Sequence, residues 1–99
     1  MAIVEIHLQE GFQDDEVVVL MDGREVFSSE SVTSQALLGL AETITLEADT
    51  AGHEVTVELP RRGVSGNTSV PASERSYVGV TRQGDSLELI VTGEPFGYG

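Results

Sequence analysis

The sequence predicts an all-β protein, an antiparallel β-sandwich of seven or eight short strands forming a single domain over residues 1–99. Three observations carry that prediction. Segments alternating apolar with polar residues recur along the chain, the signature of half-buried strands. Turn-prone residues separate most of them, as in sandwiches and small barrels. No apolar pattern of helical period runs longer than two turns.

Taken in order, Val4, Ile6 and Leu8 alternate with Glu5, His7 and Gln9, which predicts a first strand with one buried face. Residues 10–15 make a polar connection. The run Val17–Met21 is apolar without interruption and rich in valine, which disfavours a helix and suits a pleated surface. Lack of alternation there predicts a central strand covered on both faces. Asp22-Gly23 then supplies the strongest hairpin signal in the chain, because both central residues of a type I′ turn need positive φ. Glu25-Val26-Phe27 is the returning strand, and Ser28–Ser31 is loop-like. Gln35-Ala36-Leu37-Leu38 is compatible with a helical turn or an irregular strand, and Gly39 argues against a long helix.

The cleanest alternation follows. Ile44, Leu46 and Ala48 face one way on one strand, and Val55, Val57 and Leu59 do so on the next, with Asp49–Gly52 as the turn. Pairing across that turn would set Leu46 against Val55, Ile44 against Val57, and Glu47 against Glu54, a like-charge contact that costs about 0.2–1 kcal/mol. Residues 60–74 are turn-prone, with Asn67–Val70 as a short edge strand. Ser76–Thr81 and Ser86–Thr92 are the last strands, with Val78, Val80, Leu87, Leu89 and Val91 inward. The tail, residues 93–99, holds Phe96 and Tyr98, two of five aromatics. It is expected to dock, on its own sandwich or on a partner.

Val19–Val26, containing Asp22-Gly23, followed by Ala51–Val57, containing Gly52-His53, resembles the strand, Asp-Gly, strand, Gly-His, strand pattern of PEGA-type and prealbumin-like modules. The resemblance covers about half the chain. It implies an immunoglobulin-like or prealbumin-like sandwich and a non-catalytic module for protein or glycan contact. It implies no functional residues.

Charge narrows the partners. Seventeen acids face five arginines, with no lysine, for a net charge of −12. Residues 1–58 hold 13 acids and Arg24 (−12), whereas residues 59–99 hold 4 acids and 4 arginines (zero). Such a field repels phosphates and anionic lipid, so neither nucleic acid nor membrane is expected as a partner, while cations or a basic protein surface would be attracted. Without cysteine there is no disulfide, thiolate metal site or thiol nucleophile. No apolar run approaches the roughly 18 residues of a membrane helix, and no secretory leader is visible, so a cytoplasmic setting is expected.

Asp14, Asp15 and Glu16 are the candidate metal ligands, for calcium, with Asp49 or Glu10 helping; solvated turn acids are the simpler reading. Arg61-Arg62 is the only basic doublet, suited to folding over the acidic strands or to a carboxylate on a partner. His7 and His53 read as ordinary surface histidines. Phe96, Tyr98, Arg61 and Arg62 are therefore the candidate binding residues. The expected function is a non-catalytic binding or assembly module that contacts a protein partner or its own copies through an exposed strand edge. The alternative is a ligand-binding module taking a divalent cation or a glycan in its end loops. An enzyme ranks third, because nothing resembles a nucleophile elbow and a core of this size leaves little room for a deep cleft.

Overall fold

A computed structural model describes residues 1–35, 37 and 39–97. Eight strands form: β1 (Ala2–Leu8), β2 (Asp15–Met21), β3 (Arg24–Val32), β4 (Glu42–Ala48), β5 (His53–Leu59), β6 (Val64–Val70), β7 (Arg75–Gln83) and β8 (Ser86–Thr92), with a 3-10 turn at Pro60–Arg62. They make two four-stranded sheets, ordered β4-β1-β7-β8 and β3-β2-β5-β6. Neighbours are antiparallel except β1 and β7, which run parallel from Ile3 beside Arg75 to Leu8 beside Val80.

The core lies between the sheets and follows the alternation. Val4, Ile6, Leu8, Ile44, Val78 and Val80 from the first sheet face Val17, Val19, Val55, Val57, Leu59 and Val70 from the second, all buried. Phe12, from the loop between β1 and β2, is also buried in this core. Each such side chain contributes about 1.5–3 kcal/mol by leaving water.

The β2–β3 hairpin forms as expected. Asp22 and Gly23 take φ of 54° and 81°, the left-handed pair that the tight turn requires. The returning strand is longer than its sequence suggests, since β3 continues through Ser28–Ser31 to Val32. β2 lies inside its sheet but is not covered on both faces: Val17 and Val19 are buried, whereas Val18 and Leu20 are half-exposed on the outer side. An unbroken valine run here reflects strand propensity on a surface, as well as burial. β6 likewise begins earlier than Asn67, at Val64. Gln35 bridges to Leu40; the expectation for Ala36 and Leu38 falls outside the described residues.

The expected pairing of residues 44–48 with 55–59 does not occur. β4 pairs with β1, so Glu47 lies beside Ile3, while β5 pairs with β2 and β6 in the other sheet. Asp49–Gly52 therefore crosses between sheets instead of closing a hairpin. The physical reason is the grip of the first hairpin on the start of β5. The Asp22 N–H donates to the Glu54 carbonyl (2.8 Å), and the Glu54 N–H donates to Asp22 Oδ1 (2.9 Å). Glu54 faces no glutamate; its Oε2 accepts a hydrogen bond from the Ser69 hydroxyl at 2.9 Å.

Engineered disulfides test this topology in a chain that has no cysteine of its own. The pair Glu5→Cys and Thr45→Cys, neighbours across β1 and β4, should oxidise readily in the folded protein. The pair Glu47→Cys and Glu54→Cys should stay reduced, as followed by thiol titration under native conditions.

Candidate functional site

Two polar constellations stand out, one at an end of the sandwich and one between the edge strands β3 and β4. The first is built on Asp15 at the start of β2. Its side chain is only 4% exposed. Arg62, at the end of the 3-10 turn, donates its Nε–H to Asp15 Oδ1, and Arg82 of β7 approaches Oδ2 at 3.4 Å. The Gln13 N–H donates to Oδ2 at 2.8 Å. Burial pushes the Asp15 carboxyl up, but the Arg62 hydrogen bond, the Gln13 N–H and the two guanidinium charges together outweigh it, and the group is held below the ordinary carboxylate value. Arg82 is itself anchored, with Nε donating to the Gly11 carbonyl at 2.8 Å.

The four residues Asp15, Glu16, Arg61 and Arg62 thus come together, the expected ligands and the expected binding pair neutralising one another. Arg61 reaches Glu16 Oε1 at 3.8 Å and donates to the Glu30 carbonyl. Asp14 stands apart at φ 51°, accepting from the Ser31 hydroxyl and donating its N–H to Thr33 Oγ1 at 2.9 Å. Asp15 is therefore a buried ion-pair member, not a solvated turn acid. Among the described residues, no three His, Asp or Glu side chains stand close enough to hold a metal ion.

The second constellation surrounds a cleft of about 340 Å³ where the edges of the two sheets separate. Met21, Val26, Leu46 and Ala48 give it apolar walls, and Asp22, Glu47 and Asp49 give it carboxylates, with Arg24 also lining it. His53 occupies one side. Its Nδ1 lies 2.6 Å from Asp22 Oδ2, and its Nε2 lies 3.1 Å from the Asp49 carbonyl. The Asp22 hydrogen bond, then the Asp49 carbonyl, raise the His53 pKa against a smaller opposing effect of burial. The His53 bond and the Glu54 N–H lower that of Asp22. An imidazolium donating from both nitrogens suits these partners. With both nitrogens engaged inside the chain, the ring braces the β4–β5 crossover; neither nitrogen points at a vacant position for proton transfer.

On the outer face of the first sheet, Phe96 sits against His7, ring centroids 5.3 Å apart and planes at 63°. A Cβ on Gly79 would come within 2.9 Å of Phe96 Cζ and 2.8 Å of Gln9 Oε1, so the bare glycine lets both side chains lie close over β7. His7, on the outward phase of β1 as expected, is 8% exposed and so not a surface histidine, because Phe96 and Tyr77 flank it. Tyr98 lies outside the described residues. Arg82, Asp22, Val26 and Leu46 carry no sequence signal of a site, apart from the turn at Asp22. Comparison with known families, curated proteins and solved structures finds no match for the chain.

Two stability measurements follow. Asp15→Asn leaves Arg82, a mostly buried cation, without its counter-charge, and should cost about 3 kcal/mol by urea unfolding near neutral pH. Because the folded carboxyl titrates below its unfolded value of about 3.9, this advantage exists above that value and fades as pH falls through the folded one. For His53 the sign reverses. A raised pKa stabilises fully below about pH 6.5, and the gain is lost as pH rises through the folded value. The Tm advantage of the wild type over His53→Gln should therefore shrink from about pH 6 to about pH 9; growth over that range contradicts the assignment.

Proposed function

We propose that this chain is a non-catalytic binding module, of the immunoglobulin-like or prealbumin-like sandwich kind, that acts through protein–protein contact. One observation carries the reading: the seam at β3 and β4 leaves two strand edges open beside an apolar-walled cleft. A strand edge offers alternate N–H and C=O groups to an incoming chain, and a cleft beside it gives specificity through side chains. The polar groups around the cleft support binding over catalysis, since Asp22 and His53 are bonded to each other and to the backbone.

Asp22 of the Asp-Gly step and His53 of the Gly-His step, 31 residues apart, meet in one hydrogen bond. The calcium proposal for Asp14, Asp15 and Glu16 is the weaker one, because an ion there competes with Arg62 and Arg82 for Asp15. The net charge of −12 supports a module that avoids nucleic acid and anionic membrane. Among the described residues, no helix is long and apolar enough to cross a membrane.

Photocrosslinking in the native cell tests the reading. A benzoylphenylalanine replacing Thr45 on β4 should give discrete adducts with an identifiable protein, competed by excess unlabelled chain. The same group replacing Asn67 on β6 should not. Equal adducts from both positions, or none from Thr45, overturn the reading.

A further inference from the structure

The four edge strands are not equivalent. β6 and β8 shield one another, because the sheets approach closely on that side: a Cβ on Gly66 would lie 2.9 Å from Leu89 Cδ1 and 3.3 Å from Leu87 Cβ. β3 is exposed but blunted. Its register against β2 slips twice, between Asp15 and Val17 and between Val19 and Leu20. Ser29 Oγ accepts from the Ser31 N–H, and the Arg61 guanidinium donates to the Glu30 carbonyl. Bulges and capped carbonyls are devices that keep an edge from recruiting a further strand.

β4 carries neither device. It pairs with β1 over seven consecutive positions, Ala48 beside Ala2 to Glu42 beside Leu8, without a register shift. It contains no proline, and the side-chain bonds that cap β3 have no counterpart along it among the described residues. One face packs Ile44 into the core and leaves Leu46 and Ala48 half-buried at the cleft. What restrains this edge is charge. Glu42 and Glu47 are exposed on it, and Asp49 and Asp22 continue the acidic rim. Arg24 and the His53 imidazolium line the cleft too, but three carboxylates outnumber them. A second copy would bring the same acids against themselves, which disfavours self-pairing along β4.

We propose that β4 is the docking edge for an extended, basic segment of another protein, which joins the first sheet as a fifth strand and lays an apolar side chain into the cleft beside Leu46. This rests on the protein-interaction reading and names the partner's chemistry. Main-chain hydrogen bonds to β4 supply affinity, and arginine or lysine side chains on the outer face of the incoming strand meet Glu47, while Glu42, on the phase of Ile44 and Leu46, adds its charge at the end of the edge.

The probe is an acetylated, amidated peptide of alternating arginine and valine, about eight residues long, with a glutamate-for-arginine counterpart as control. Backbone NMR and amide hydrogen exchange report where it binds. The arginine peptide should protect alternate amides within residues 42–48, and should weaken at least about tenfold between roughly 50 and 500 mM salt. The glutamate peptide should not bind. Glu47→Gln should weaken binding of the arginine peptide. The double change Glu42→Arg and Glu47→Arg, both at exposed positions, should keep the fold and transfer preference to the glutamate peptide. Equal binding of both peptides, protection on β3, β6 or β8 in place of β4, or concentration-dependent protection of β4 without peptide overturns the proposal. If Thr45 crosslinks in cells while no peptide binds, the basic-strand assignment alone fails. If Thr45 gives no adduct, the reading beneath it fails.

Discussion

Asp15 brings a charge into the end of an otherwise apolar sandwich, and the surrounding chain is arranged to satisfy it. Its two guanidinium partners come from different layers: Arg62 follows β5 in the second sheet, and Arg82 belongs to β7 in the first. The carboxylate therefore ties the sheets together at one end. The tie extends outward, since Arg82 also holds the Gly11 and Gly84 carbonyls and its N–H donates to the Glu10 carbonyl at 2.9 Å. Loops 9–14 and 84–85 are thus held through one residue. Hydrophobic burial drives the two sheets together but is non-directional. A buried ion pair adds little net energy against an apolar substitute, yet its geometry is selective.

Much of this fold was legible in the residues, and the failures share a cause. Alternation in 4–8, 44–48 and 55–59 tells which side chains face the core, because side chains on a strand point to opposite faces in turn. It does not tell which strand lies alongside. Ile44 and Val57 point into the same core whether they are cross-strand neighbours or face each other from opposite sheets. What decides is the Asp22 grip on Glu54, a contact between residues far apart in sequence. Asp15 was unreadable for the same reason, as Arg62 and Arg82 reach it from distant segments. His7 followed its expected phase, but its burial depends on Phe96 near the other end of the chain. Local pattern fixes orientation; long-range polar contacts fix pairing.

The split in charge along the sequence becomes a split across the molecule. β3 and β4, from the acidic half, form one seam, with Glu25, Glu30, Glu42 and Glu47 on their strands. β6 and β8, from the balanced half, form the other, and Glu88 is their only acid. Charge is thus concentrated along the side where the sheets part, and thinned where they close. Repulsion among the acids helps to keep the open seam open, while apolar packing of Leu87 and Leu89 beside Gly66 holds the opposite one shut.

The parallel pairing of β1 with β7 has a kinetic consequence. β1 lies in the interior of its sheet, between β4 and β7, so one side stays unpaired until residues 75–83 are available. A hairpin such as β2–β3 closes within a few residues; the β1–β7 ladder must first close a loop spanning most of the chain. Loop-closure entropy has to be met before that ladder returns any hydrogen bond, which makes assembly of the first sheet the slow event. During synthesis the second sheet can complete as soon as β6 emerges, while β1 and β4 wait as a two-stranded fragment with an apolar face uncovered on its β7 side. The interval between β6 and β7 is the stretch in which the nascent chain is most exposed to mispairing.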